Sequence, residues 1–265
     1  MLVATWNVNS VVARLPRLLD WLRDPAPDVL CLQETKVARD GFPEEQVREL
    51  GYEVATHGDG RWNGVAILSK VGLTDVAPGL PGDPGYPTAD VREARAIAAT
   101  CGPLRIWSVY VPNGREPGHD HYAYKLTWLA ALREAIAPEV AAATAAATPF
   151  AVVGDFNIAP TDADVWDPAA FATATHVTPP ERAALSALRE TGLHDVLPRA
   201  LKHDTPFSYW DYRAGMFHKN MGMRIDLVYA NQVFADAVQD AYVDRNARKG
   251  TGPSDHAPVV VSLQI

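Results

Sequence analysis

Short apolar runs, each closed by a polar residue, set the limits on this fold. Val29-Leu30-Cys31-Leu32 is continuous and lacks the alternation of a strand that faces water, so it suits a strand buried on both faces. Leu2–Trp6, Asp28–Gln33, Gly64–Ser69, Ala96–Thr100, Leu104–Val111, Phe150–Gly154, Ile225–Tyr229 and Pro258–Leu263 are the strand candidates. Helical spacing falls between them. Leu15, Leu18, Leu19 and Leu22 recur at i, i+3, i+4, i+7 over about Pro16–Arg23, with the proline tolerated in the first turn. Pro43–Leu50 reads as a short helix with an acidic start, closed by Gly51. The longest helix is predicted from about His121 to Ala137, with Leu126, Leu129, Leu132 and Ile136 on one face, and Pro180–Glu190 is another. Ala141–Ala147 reads as a helix end leading into a strand. Strands outnumber helices, some joined by tight turns and others by helices. That mixture predicts a four-layer α/β sandwich, two packed mixed β-sheets flanked by helices. No Gly-, Ser- or Pro-rich linker divides the chain, so residues 1–265 are expected to form one domain.

Composition narrows the function. With 48 % apolar and 21 % charged residues the chain is globular in type. No run approaches the ~20 apolar residues of a membrane span. The start Met1-Leu2-Val3-Ala4-Thr5 lacks the charged segment and cleavage site of a signal peptide, so a cytoplasmic protein with no membrane partner is expected. Cys31 and Cys101 sit in apolar runs and read as reduced core thiols. Twenty-four basic against 32 acidic residues give a net charge of −8, which argues against a protein that coats nucleic acid by charge alone. It leaves room for an enzyme whose acids gather around a divalent cation and whose basic residues line a separate edge.

Polar residues fall where strands end. Asn7 and Asn9 follow the first, Gln33-Glu34-Thr35-Lys36 the second, and Pro112-Asn113-Gly114 the strand carrying Tyr110. Gly154-Asp155-Phe156-Asn157 closes another, and Ser254-Asp255-His256 precedes the last. Any one Asp or Asn after a strand is most often a turn or cap residue. Asp226 is different. Flanked by Ile225, Leu227 and Val228, its carboxylate needs a partner, and Arg224 is not assigned as that partner. Taken together, four acids (Glu34, Asp155, Asp226, Asp255), three amides (Asn7, Asn113, Asn157), one phenol and one imidazole suit phosphodiester hydrolysis. That reaction uses a divalent cation, an activated water and donors for the phosphoryl oxygens. Mg²⁺ prefers oxygen ligands. Zinc is poorly supported, because no Cys or His pair has ligand spacing. A Gly-x-Ser-x-Gly elbow and a Walker-type loop are both missing.

Trp6-Asn7-Val8-Asn9-Ser10, Leu32-Gln33-Glu34-Thr35-Lys36, Asn63-Gly64-Val65-Ala66-Ile67, Tyr110-Val111-Pro112-Asn113-Gly114, Gly154 to Pro160, Asn220 to Asp226 and Ser254 to Pro258 occur in this order. On these blocks the chain resembles, nearly end to end, the exonuclease III family of apurinic/apyrimidinic endonucleases, within the endonuclease/exonuclease/phosphatase superfamily. The resemblance implies a Mg²⁺-dependent DNA-repair phosphodiesterase, with Mn²⁺ able to substitute. It would cut duplex DNA 5′ to abasic sites and degrade or clean 3′ ends; the sequence offers no evident oligomer interface, so a monomer is expected. Glu34 then looks like the principal metal carboxylate, with Asn7, Asp155, Asn157, Asp255 and His256 around the ion. Asp155 looks like the residue that orients or deprotonates the attacking water, though Tyr110 or a metal-bound hydroxide remains open as the base. Asp226 would fix the His256 imidazole against the scissile phosphate, with Tyr110, Asn113 and Asn157 as further donors.

For the substrate, the resemblance implies that Tyr209 and Trp210 offer rings to an abasic pocket, although aromatics so spaced also suit a strand's core face. Met223 stands where the family often carries Trp, and would wall the same pocket. Arg213, His218, Lys219 and Arg224 precede Asp226, while Arg245, Arg248 and Lys249 precede Asp255, so both groups are expected to grip flanking phosphates. The alternatives are a superfamily enzyme acting on RNA ends, inositol phosphates or lipids, and a DNA-binding module without catalysis.

Overall fold

In the computed structural model, which describes residues 1–265, the eight apolar runs form strands, and five further strands form without one. In chain order they are β1 (Leu2–Asn7), β2 (Val29–Gln33), β3 (Glu53–His57), β4 (Val65–Ser69), β5 (Thr74–Pro78), β6 (Ala96–Cys101), β7 (Leu104–Tyr110), β8 (Phe150–Asp155), β9 (His194–Asp195), β10 (Arg199–Ala200), β11 (Asp226–Ala230), β12 (Val238–Val243) and β13 (Val259–Leu263). They build a 7-stranded sheet ordered β10-β12-β13-β1-β2-β4-β3 and a 6-stranded sheet ordered β5-β6-β7-β8-β11-β9. Between them lie α1 (Leu15–Arg23), α2 (Glu44–Arg48), α3 (Asp120–Ala145), α4 (Pro179–Arg189), α5 (Met216–Lys219) and α6 (Gln232–Ala237). This is the α/β sandwich that the patterning predicts.

Continuous apolar runs are required because each central strand is covered twice. Val3, Val29, Cys31 and Ile67 of one sheet meet Ile97, Ile106, Ala151 and Val153 of the other in the middle layer. On the outer face of the first sheet, Ala4, Trp6, Leu30 and Leu32 pack on Leu18 and Leu22 of α1. On the outer face of the second, Trp107 and Val152 pack on Trp128 and Leu132 of α3. Each fully buried Val, Leu or Ile contributes roughly 1.5–3 kcal/mol. Cys31 and Cys101 are free thiols buried in the middle layer. No helix is long and apolar enough to cross a membrane.

Two departures from the sequence reading have physical causes. Strands β3 and β5 are sheet edges with several half-buried or exposed residues, so they lack the apolar run by which the central strands are recognised. Helix α3 continues eight residues past the predicted end, through Pro138 to Ala145. A proline inside a helix removes one backbone bond, but Ile136 and Val140 on either side of it are both buried against the second sheet, and that packing carries the helix onward.

The sheets bring distant segments to one rim. β1 and β2 are parallel with Asn7 opposite Gln33, so the loops after both strands leave in the same direction. β7 and β8 are parallel with Tyr110 opposite Asp155, and antiparallel β11 starts at Asp226, also opposite Asp155. β13 runs antiparallel to β1 with Val259 opposite Thr5, which delivers the preceding Ser254-Asp255-His256 to the same edge.

Candidate active site

At that rim the amide nitrogen of Asn7 donates to Glu34 Oε1 at 2.8 Å and to Asp155 Oδ2 at 2.9 Å, holding two carboxylates from different sheets together. Ligating atoms of Glu34, Asp155 and His256 lie within 4.8 Å of one another. His256 Nδ1 is 2.7 Å from Asp226 Oδ2, and its Nε2 is 3.8 Å from Asp155 Oδ2. The Ser208 hydroxyl donates to the same Asp226 oxygen at 2.6 Å, so Oδ2 has the partners an apolar setting demands while Oδ1 is buried without one. Asn113 Nδ2 donates to Asn157 Oδ1 at 3.2 Å, and the backbone N–H of Asn157 donates to Asp155 Oδ1 at 2.9 Å. These groups surround a cleft of about 140 Å³ that Tyr110, Asp255, Tyr209, Met223 and His176 also line. Glu34 and Asn157 hold φ values of 51° and 52°, in the left-handed region. Such conformations cost on the order of 1–3 kcal/mol each and gather at functional sites.

The electrostatics separate the roles. Burial pushes the Asp155 carboxyl up to about 7, and the Asp226 and Glu34 carboxylates add to the rise against the opposing His256. Burial works against a charge on His256, but Asp226 and Asp155 outweigh it and raise the imidazole to about 10. For Glu34, burial is overcome by the Lys36 ammonium 2.7 Å away and by Asn7, which hold its carboxyl below the usual range. Lost hydration and the neighbouring Glu34 push the Tyr110 phenol well above its ordinary value. At neutral pH His256 is therefore a charged donor, Tyr110 a neutral donor, and Asp155 sits near its midpoint.

Several residues expected at the site sit differently. Arg224 is buried, donating to Asp164 Oδ1 at 2.6 Å and to both oxygens of Asp195, so its charge is paired with two carboxylates and it does not line the cleft. Trp210 is 1 % exposed and stacks edge-on against Phe217, a core ring that does not line the cleft. Arg248 is buried and donates to the carbonyls of Ser254 and Trp210, which makes it a post for the loop bearing His256. Asn7 turns its amide nitrogen to the carboxylates while its oxygen accepts from Asn9 N–H, so it spans the acids rather than offering an oxygen between them. Asp255 lines the cleft but stands outside the tight group, accepting from Asn9 Nδ2 at 3.1 Å. Arg213 and Lys219 are exposed, and Arg213 is chelated by Asp211.

Other residues had no motif to announce them. Lys125, fully buried on α3, donates to the carbonyls of Asn113 and Asn157 at 3.1 and 2.7 Å and to Glu181 Oε1 at 2.5 Å. Glu181 also accepts from the Thr175 hydroxyl and the His176 N–H, tying four segments beneath the cleft. In sequence, a lysine within the apolar stripe of α3 was the available signal. Lys125→Met is expected to destabilise the protein by about 3–5 kcal/mol, because it strands a buried carboxylate. Adding Glu181→Gln should recover part of the loss in a denaturant titration. Equal loss in the single and double variants would show that the pair's charge is irrelevant.

The profile of the Endonuclease/Exonuclease/phosphatase family matches residues 4–256. The exodeoxyribonuclease III of Haemophilus influenzae is 31 % identical, over 96 % of this chain and 97 % of its own length. The structure of a 3′-5′ exonuclease (NExo) from Neisseria meningitidis superposes with a TM-score of 0.93 at 37 % identity, covering 100 % of both chains. An AP endonuclease from Archaeoglobus fulgidus superposes at 0.91 with 32 % identity and the same coverage.

Proposed function

The chain belongs to the Endonuclease/Exonuclease/phosphatase family as a DNA-repair nuclease of the exodeoxyribonuclease III type, and from that membership we propose that residues 1–265 act as one Mg²⁺-dependent catalytic domain. Its substrate is duplex DNA, hydrolysed at 3′ ends and 5′ to abasic sites. The meeting of Glu34, Asp155 and His256 within 4.8 Å carries this reading. The 3′-5′ exonuclease from Neisseria supports the action at 3′ ends, and the Archaeoglobus AP endonuclease supports the action at abasic sites.

The donor set fits a hard divalent cation. Glu34 and Asp155 present carboxylate oxygens side by side, and Asp255 offers another in the same cleft. These three would hold Mg²⁺, or Mn²⁺ in its place. When bound, the ion neutralises phosphoryl charge and eases deprotonation of water. His256 suits phosphate better than the ion, because its raised affinity for protons keeps it cationic. Its Nε2 donates to a non-bridging oxygen while Asp226 holds Nδ1. Tyr110, neutral and reluctant to ionise, serves as a donor and not as the base. Asp155 is left to align the water and accept its proton, its carboxylate lying beside Glu34 and His256 in the cleft. Asn113 and Asn157 brace the opposite wall against developing charge.

End-labelled duplexes test this in one gel: one intact, one carrying a single abasic analogue and one ending in a 3′-phosphate. With Mg²⁺, incision 5′ to the analogue, a shortening ladder from the 3′ end and loss of the phosphate are expected. A chelator should abolish all three, and Mn²⁺ should restore them. Full turnover in chelator would reject the metal assignment, and inertness toward every duplex would reject the reading.

A further inference from the structure

Just ahead of β6 stands Arg95, a cation only 4 % exposed. Its Nε donates to Glu93 Oε2 at 2.7 Å and its Nη1 to the backbone carbonyl of Tyr110 at 3.2 Å. The Tyr110 N–H in turn donates to the Arg95 carbonyl at 2.7 Å. The guanidinium carbon lies 4.8 Å from the centre of the Tyr110 ring. One residue thus holds Tyr110 at its N–H, its carbonyl and its ring, and Tyr110 lines the catalytic cleft. Glu93 is itself fixed through its other oxygen, which accepts from Asn63 Nδ2 at 3.0 Å. Asn63 leads into β4 of the first sheet, and its carbonyl accepts from the Lys36 N–H at 2.9 Å. The guanidinium is therefore anchored in loops of both sheets.

We propose that Arg95 is a positioning residue for phosphodiester hydrolysis, locking the Tyr110 ring so that its hydroxyl meets a phosphoryl oxygen; this rests on the reading of Tyr110 as a neutral donor in the cleft. A donor stabilises a developing oxyanion best when it is fixed beforehand, at about 2.7–3.1 Å from the oxygen. The tyrosine hydroxyl sits at the end of a long lever that turns about χ1, so a small swing of the ring carries it out of reach. A guanidinium against one face of the ring blocks that swing, and the hydrogen bonds to the Tyr110 backbone fix the pivot. Arginine suits the task better than lysine. Its planar fork donates along its edge to Glu93 and to the Tyr110 carbonyl, which leaves its face for the ring. A buried ion pair needs only its carboxylate, and Glu93 supplies that. The approach to the ring and carbonyl of Tyr110 is what ties the pair to the site. Neither Arg95 nor Glu93 lines the cleft, so Arg95 acts through Tyr110 and not on the substrate.

The test measures kcat and KM of the full chain with Mg²⁺ on an end-labelled duplex, for Arg95→Met in the wild-type background and in Tyr110→Phe. Tyr110→Phe keeps the ring and removes the donor, and should lower kcat about 10²-fold. Arg95→Met should lower kcat about tenfold, with KM within about twofold of wild type, because a misplaced donor costs the transition state and not the ground state. In Tyr110→Phe the same change should cost less than about twofold, since no hydroxyl remains to be placed. Where Arg95→Met alone does not fold, Glu93→Gln/Arg95→Met leaves no unpaired carboxylate and is compared in the same two backgrounds. Equal losses of kcat in both backgrounds would show a merely structural role and overturn the assignment. An unchanged kcat, or a loss confined to KM, overturns it too, while a slow Tyr110→Phe leaves the phenol's role as donor standing. A Tyr110→Phe variant as fast as wild type overturns that role, and the assignment of Arg95 with it.

Discussion

Asp155→Asn is expected to cut turnover on a 3′-end or abasic-site duplex by about 10³-fold or more, with the folded protein at least as stable as wild type. The loss has two sources: the amide cannot take a proton from water, and it withdraws a negative charge from the cation site. Stability moves the other way. The folded-state pKa of Asp155 is raised to about 7 by burial and its acidic neighbours, so its ionised form is disfavoured in the native state. The protein without metal therefore loses stability as pH rises from the ordinary carboxylate range to about 7, and carries the full penalty above it. Asparagine removes that penalty. Its amide still accepts from Asn7 through one oxygen but cannot also accept from the N–H of Asn157, which offsets part of the gain. Single-turnover rates and metal-free thermal melts at pH 8 check both halves. Near-wild-type turnover would refute the water-activating role, and a melting temperature far below wild type would refute the electrostatic account.

Asp226→Asn should act through the imidazole. Burial opposes a charge on His256, and Asp226 heads the groups that overcome it to reach about 10. Because this folded value is raised, the imidazolium is fully present below neutral pH and is lost only as pH climbs through about 10. Removing one adjacent carboxylate charge typically moves such a group by about 1–3 units. The alkaline limb of the kcat–pH profile is therefore expected to shift toward neutrality by that amount. At pH 8 a group moved to about 7–9 keeps roughly a tenth to nine tenths of its cation. The variant should therefore run up to about tenfold slower there, and the deficit should grow as pH rises. Asparagine keeps the shape of the side chain and an oxygen for the Ser208 hydroxyl, so packing is preserved. An alkaline limb that stays in place would show that His256 does not contribute as a cation.

The polar ends of the apolar runs mark most of the residues that line the candidate cleft. Glu34, Tyr110, Asn113, Asp155, Asn157, Asp255 and His256 line one cleft, and Asp226 holds the imidazole, each within or beside a strand end that the motifs mark. Arg224 shows that charge in a sequence carries no address: two carboxylates distant in the chain, Asp164 and Asp195, pair with its guanidinium. Trp210 and Arg248 misled in the same way, since an aromatic or a guanidinium near a motif serves as readily to support it as to face substrate. Glu181, Ser208 and His176 carry no sequence signal, and Lys125 only its place in an apolar stripe, because their partners lie in other elements.

The order of residues along the chain determined the sandwich, because strands covered on both faces must be apolar throughout and a continuous apolar run leaves no side for water. It also determined which chemical groups stand at the strand ends. Which of those groups share a hydrogen bond, which are left charged, and which open space lies beside them came only from strand register across two sheets. Local sequence governs backbone conformation over a few residues. Proton affinity and ligand room depend on neighbours more than a hundred residues away, as Asn7 and Asp155 are, and these exist only once the sheets have packed.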